Sequence, residues 1–343
     1  MLAAVTRGIR QMEVLDLPEP QPPGPGEVIV HPDAVGICGS DFHFFAGELQ
    51  IFEESPYPRI QGHEFTGTIE QLGPGANDRL SQGDRVAIMP ISSCGRCYPC
   101  RVGRGNVCDN FSLIGIHTDG GLQELLRVPE SQVFPIHSDE PAVAALAEPV
   151  SIAVRSLHRS GISQGEQVVI LGAGPIGQAV HLLARERGAT TLLVDRVRSR
   201  LDFGVANGAE ALVWEDRDQV VRDCLEWSGG EGPPLVFDAT GAPDPIRAAV
   251  DMAASAGRVV VVGMSGEEVP LRIGAFTEKE IDMLGVSCCG SDEFGEAVSF
   301  VESHPESLER LISRRFPLDR APEAVGYAME NPAEVMKVVI TGS

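Results

Sequence analysis

Cys94-x-x-Cys97-x-x-Cys100 followed by Cys108 places four thiols in one short loop. Thiolates are soft ligands, and two-residue gaps let successive cysteines converge on one tetrahedral Zn²⁺ at about 2.3 Å. Gly95, Pro99, Gly103 and Gly105 supply the turns such a loop needs. Four protein ligands leave no position for a substrate, so the expected role is structural. An iron–sulfur cluster also takes four cysteines, but no companion redox motif accompanies this loop, which favours zinc.

A second ligand set is spread more widely. Cys38 stands in Gly36-Ile37-Cys38-Gly39-Ser40-Asp41-Phe42-His43, and Gly62-His63-Glu64 follows. Both groups sit beside glycines, in what reads as turns. Thiolate, imidazole and carboxylate together suit Zn²⁺ with one coordination position left open. Glu148, in Ala147-Glu148-Pro149, lies between apolar neighbours near an architectural boundary. It reads as a further ligand, as a holder of water at the metal, or as an exposed acid before a proline.

The run Gly172-Ala173-Gly174-Pro175-Ile176-Gly177 fits G-x-G-x-x-G. Its context gives it meaning: an apolar strand precedes it, a helix follows, and a second strand ends in Asp195. Gly172 allows the tight turn, Gly174 lets the backbone approach a pyrophosphate, and Gly177 lets helix and strand pack closely. The helix start, with Pro175 and Ile176, presents backbone N–H groups to the negative charge. Asp195 is placed to accept from the adenosine ribose and to repel a 2′-phosphate, so NAD is expected. Arg196, Arg198 and Arg200 follow at once, and Arg200 is expected to border the cofactor and to shift that balance.

The elements that must position these groups come in two textures. Up to about residue 150, short extended runs such as Val28–Val30, Thr66–Glu70 and Arg85–Ile88 alternate with Pro/Gly turns, as in an irregular β domain. From Gln167 onward, apolar runs alternate with helical patterns: Gln167–Leu171, Thr191–Asp195, Leu235–Ala239, Arg258–Val262 and Ile281–Val286. Uninterrupted apolar strands of that kind belong to a parallel sheet covered on both faces. The tail from Ser287 onward reads as amphipathic helices and a closing strand, Val338–Ile340, returning to the first domain.

Composition narrows the partners. A hydrophobic fraction of 43% and a charged fraction of 22% are ordinary for a globular chain. The formal net charge of −22, with no basic run to offset it, disfavours nucleic acid and anionic membrane surfaces. No apolar stretch approaches a membrane span, no secretory signal is visible at Met1–Arg7, and clustered cysteines in an unexported chain read as metal ligands. The expected compartment is the cytoplasm.

These motifs in this order resemble the zinc-dependent medium-chain dehydrogenase/reductase superfamily over essentially the whole chain. The residues carrying the resemblance are Gly36–Asp41, Gly62-His63-Glu64 with Gly67 and Gly73, Gly83-Asp84-Arg85-Val86, the cysteine loop, Glu148-Pro149 and the Gly172 turn. The resemblance implies an α/β architecture: a GroES-like catalytic domain over 1–150 with both zinc sites, a doubly wound Rossmann NAD domain over 151–287, and a return to the catalytic domain over 288–343. It implies two Zn²⁺ per chain, NAD, a small-molecule alcohol substrate and a homodimer or homotetramer. Cys38, His63 and Glu64 are similar to the metal set of the sorbitol and threonine dehydrogenase branch. Gly115-Ile116-His117-Thr118-Asp119-Gly120-Gly121 is similar to members that oxidise gulonate and galactonate. By the same resemblance, Ser40 and His43 relay the substrate proton. The implied activity is NAD-dependent oxidation of a secondary alcohol such as a polyol or sugar acid. L-threonine 3-dehydrogenase-type oxidation and a non-catalytic relative are the alternatives. The substrate-lining loops are expected near Phe42–Phe52, Ile116–Gly121 and Glu278–Cys289.

Overall fold

A computed structural model describes residues 1–48 and 56–342 of the chain. The chain forms two compact units, one of Met1–Ser151 with Gly290–Ser343 and one of Ile152–Cys289. Among the described residues no helix is long and apolar enough to cross a membrane.

The first unit is built on a seven-stranded sheet. Its centre is the long strand Glu27–Gly36, whose Val28, Val30 and Ala34 are fully buried. Glu64–Leu72 runs antiparallel on one side, with Glu64 opposite Gly36. The closing strand Lys337–Thr341 runs antiparallel on the other, with Val339 opposite the same Gly36. Ile312–Pro317 continues the sheet beyond it in parallel. The tail therefore becomes an interior strand of the first domain's sheet. Val338, Val339 and Ile340 are 0–1% exposed, and burying each contributes about 1.5–3 kcal/mol relative to leaving it in water. Phe65, Ile69, Val86, Ile88 and Val128 complete that core.

The second unit is a six-stranded parallel sheet in the order Glu210–Val213, Thr190–Asp195, Gln167–Leu171, Leu235–Asp238, Arg258–Val261, Asp282–Gly285. That is the 3-2-1-4-5-6 order of a Rossmann sheet, in which ligands bind where the strand order reverses. Val168–Leu171 is wholly buried, which accounts for its unbroken apolar run. Glu210–Val213, with its first two residues exposed, carries no such signal and was not anticipated.

One local expectation changes. The segment after Cys38 reads as a turn, yet Gly39–Ala46 is a helix. Glycine at its first position hides the pattern. What starts the helix is Asp41, whose carboxylate accepts the Cys38 N–H at 2.9 Å, and Gly47 at φ 75° closes it. In the second unit, His181 on Pro175–Glu186 is fully buried, with Nδ1 2.8 Å from Thr191 Oγ1 and Nε2 unpartnered.

Burial pushes the His181 imidazole down to about 4, with the Arg185 charge adding to the effect. Below its ordinary value the unfolded chain takes up a proton that the native state refuses, so stability falls as pH drops from about 6.5 toward 4. Urea unfolding of wild type should show about 2 kcal/mol of this loss between about pH 7.5 and pH 5. His181→Leu should remove that share of the pH slope. An unchanged slope would place the acid sensitivity elsewhere.

Candidate metal centres and nucleotide turn

The cysteine lobe is local. Cys97 precedes the short helix Tyr98–Arg101, which brings Cys100 round to it, and Gly105–Val107 delivers Cys108. Cys97 Sγ lies 3.4 Å from Cys100 Sγ and 3.6 Å from Cys108 Sγ, and all four sulfurs lie within 4.8 Å of one another. Tetrahedral ligation at a Zn–S distance of about 2.3 Å requires sulfurs about 3.8 Å apart. The four sulfurs can enclose one ion and are too close to surround a multi-atom cluster, so the iron–sulfur alternative falls. Backbone N–H groups of Arg96 and Cys97 lower the Cys94 thiol to about 6, while desolvation pushes Cys100 up to about 11. A cation entering the lobe displaces the protons that remain.

The open centre is assembled from distant segments. The ligand atoms of Cys38, His63 and Glu64 lie within 4.8 Å of one another. Cys38 caps the Gly39–Ala46 helix, and Glu64 begins the strand opposite Gly36. A Cβ at Gly36 would run into the Glu64 carboxylate, so the close approach requires glycine there. His63 follows Gly62 at φ 95°. The Gly115–Gly121 segment packs directly on this turn: Gly120 N–H donates to Ile60 O at 2.7 Å and Gly121 N–H to Gly62 O at 2.8 Å. In this fold the segment buttresses His63, and Ile116 is core, 1% exposed.

The donor set fits a cation. His63 is buried, with Nε2 3.5 Å from Ser40 Oγ, the outer limit of a hydrogen bond. Its Nδ1 is unpartnered, 3.6 Å from Asp41 Oδ1. Burial alone would lower this imidazole, yet the charges of Asp41 and Cys38 hold it well above its ordinary range. Asp41, also buried, stays below the usual carboxylate range because His63 offsets its desolvation. Glu148 is 7% exposed, which overturns the reading as a surface acid. Burial pushes it up to about 7, with Glu64 adding and His63 opposing. It stands outside the set of converging ligand atoms.

Two residues of this corner were not anticipated. Asp41 is one. The other is Lys337, 4% exposed, whose Nζ donates to Glu64 Oε1 at 2.8 Å, Oε2 at 2.7 Å and Ile37 O at 3.2 Å. Desolvation pulls Lys337 down, but Glu64 more than restores it and its proton is held above the ordinary range. Ser40 and His43 share the helix but not a bond: the half-exposed His43 pairs with Glu48, Nδ1 to Oε2 2.8 Å. Part of the expected Phe42–Phe52 lining falls on residues 49–55, which lie outside the described residues.

In the second unit, Gly172 takes φ 96°, and a Cβ there would meet Thr240 Cγ2 at 2.9 Å. A Cβ at Gly177 would strike Gly172 O. Gly174 caps the helix that Pro175 opens, and the space where its Cβ would project is open, with Arg200 Nη1 3.9 Å away. The turn thus offers free helix N–H groups and room for a phosphate. Asp195 accepts from Ala173 N–H at 2.7 Å and Val197 N–H at 2.8 Å, with Arg200 Nη1 4.0 Å from Oδ2. Each oxygen keeps a lone pair for a ribose hydroxyl.

Comparison with known proteins agrees with this geometry. Residues 24–138 match the alcohol dehydrogenase GroES-like domain and residues 175–303 the zinc-binding dehydrogenase family. L-Galactonate-5-dehydrogenase of Escherichia coli K12 is 32% identical over 93% of this chain and 93% of its own. Among solved structures, a Sinorhizobium meliloti 1021 chain bound to NADP is 32% identical with a TM-score of 0.89, over 99% of this chain and 98% of that one. RspB from Escherichia coli CFT073, solved with NADH, is 29% identical with a TM-score of 0.90, over 99% of both chains. The chain belongs to the zinc-containing medium-chain alcohol dehydrogenase superfamily.

Metal analysis of the unchelated protein should return about two zinc ions per chain. Cys97→Ser should lose one of them and melt at lower temperature, because a structural zinc contributes directly to folding. A single equivalent in wild type, with none lost in Cys97→Ser, would contradict the assignment of the lobe.

Proposed function

We propose that this chain oxidises a secondary alcohol, of the polyol or sugar-acid class, to a ketone, with NAD⁺ as hydride acceptor. The observation that carries the reading is the convergence of Cys38, His63 and Glu64 in a buried corner. A second metal set bears the structural load elsewhere, and an Asp195-terminated glycine turn is built for the nucleotide. The substrate class is supported by the galactonate dehydrogenase relative.

Cys38, His63 and Glu64 would hold the zinc, which when bound would supply Lewis acidity for the hydroxyl oxygen. The chain's own groups handle the rest. Asp41 beside His63 keeps negative charge next to the imidazole and fixes the helix that carries Ser40. Ser40 Oγ lies 3.5 Å from His63 Nε2, placed to accept the alcohol proton as it passes its own on. His43 lies three residues further along the same helix, hence on the same face, and its exposure lets it deliver that proton to solvent. Glu148, raised to about 7, holds a water or a substrate hydroxyl beside the centre. In the second unit, Gly172, Gly174, Pro175, Ile176 and Gly177 would cradle the pyrophosphate, and Asp195 would receive the ribose diol. Arg200 lies against that carboxylate and softens its repulsion of a 2′-phosphate.

The strand Asp282–Gly285 is an edge of the parallel sheet and leaves Met283 37% exposed. An open apolar edge is a template for pairing, so the assembly we propose is a homodimer through this edge or a homotetramer built from such dimers.

The test is the appearance of NADH with a panel of polyols and aldonates. Wild type should turn over at least one of them with NAD and much less with NADP, and Asp195→Gly should narrow that ratio by raising the KM for NAD. A preference for NADP in wild type would mean that the arginines outweigh Asp195. His43→Ala should lower kcat by more than about tenfold, within the range of proton relays, while metal content and NAD affinity stay unchanged. Wild-type turnover in His43→Ala across neutral and alkaline pH would remove His43 from the path.

A further inference from the structure

Lys337 enters the open centre from the closing strand, remote in sequence from every ligand. Its neighbours explain why it is there. Both Glu64 oxygens are taken by its ammonium, at 2.8 and 2.7 Å, and its remaining hydrogen bond goes to Ile37 O, the carbonyl just before Cys38. Glu64 is 1% and Lys337 4% exposed, so water cannot substitute for either partner. Asp41, held below the usual carboxylate range, places further negative charge in the same corner. A buried carboxylate left without a cation is strongly destabilising.

The ammonium sits where a metal cation would also be drawn. Two cations that share one carboxylate repel each other, so each weakens the other's hold on Glu64. By linkage, whatever Lys337 contributes to the empty centre reduces what a bound ion adds.

We propose that Lys337 is a positioning residue that stands in for the metal in the empty open centre, holding Glu64 at its ligand position and keeping the ion that binds there exchangeable. This rests on the reading of Cys38, His63 and Glu64 as a metal centre. Two consequences separate it from a role in packing alone. Without the ammonium the open centre grips its ion more tightly, because the repulsion is gone. The empty form then becomes the unstable one, because nothing balances Glu64.

The experiment is a chelator titration of zinc-loaded wild type, Lys337→Met and Lys337→Arg. Ions per chain are counted by native mass spectrometry, and melting temperature is recorded for each loading state. The lobe ion is identified as the one that Cys97→Ser removes. Lys337→Met should need at least about tenfold more chelator than wild type to lose the open-site ion. Its loaded form should melt close to wild type, and its open-site-empty form should melt far lower or aggregate. Lys337→Arg, which keeps the charge, should return both properties toward wild type. Equal or easier release from Lys337→Met would overturn the proposal, as would a Lys337→Met chain that fails to fold even with zinc, since the ion should replace the ammonium. Wild type that never holds an ion beyond the cysteine lobe would overturn the metal-centre reading itself.

Discussion

Cys38, Asp41, His63, Glu64, Glu148 and Lys337 share one corner of the first unit, and all but Cys38 are under a tenth exposed. Removing that many ionisable groups from water is expensive unless each finds a counter-charge or a metal. Much of the unit can be read as the solution to that constraint. The closing strand is drawn into the sheet interior, where it delivers an ammonium to Glu64. Gly36 forgoes a side chain so that the carboxylate fits. Gly62, Gly120 and Gly121 let the backbone press against His63 from behind. Asp41 serves both the start of a helix and the electrostatics of the imidazole.

The second unit solves a simpler problem. A nucleotide brings negative phosphates and two ribose hydroxyls, and a Rossmann turn meets them with backbone N–H groups and one carboxylate. Asp195 is already tied to two backbone N–H groups before any ligand arrives. Its orientation is therefore set by the turn. Arg200 Nη1 stands 4.0 Å from that carboxylate, so a cation borders the turn. Of two similar chains of solved structure, one was bound to NADP and the other complexed with NADH.

Local chemistry was legible in the sequence. The cysteine lobe closes within a few turns of chain, and the glycine turn announces itself by the strand before it and the acid after it. The parallel sheet shows in its unbroken apolar runs, except at Glu210–Val213, a strand too exposed to carry the pattern. What was not legible depends on contacts across the whole chain. Lys337 meets Glu64 across 273 positions, and a single lysine at the head of an apolar strand gives no hint of it. The burial of Glu148 was equally invisible, because a carboxylate before a proline looks the same inside or out. The packing of the Gly115–Gly121 run behind His63 is equally invisible, because its partners Ile60 and Gly62 lie some sixty positions away.

The whole reading turns on whether the buried Cys38, His63 and Glu64 corner is a metal centre separate from the cysteine lobe. Anomalous diffraction at the zinc edge from crystals of the unchelated protein tests it most directly. Two peaks per chain are expected, one among the four cysteine sulfurs and one bounded by Cys38 Sγ, a His63 ring nitrogen and the Glu64 carboxylate. A single peak in the cysteine lobe, with Lys337 still holding both Glu64 oxygens and no density beside His63, would contradict it.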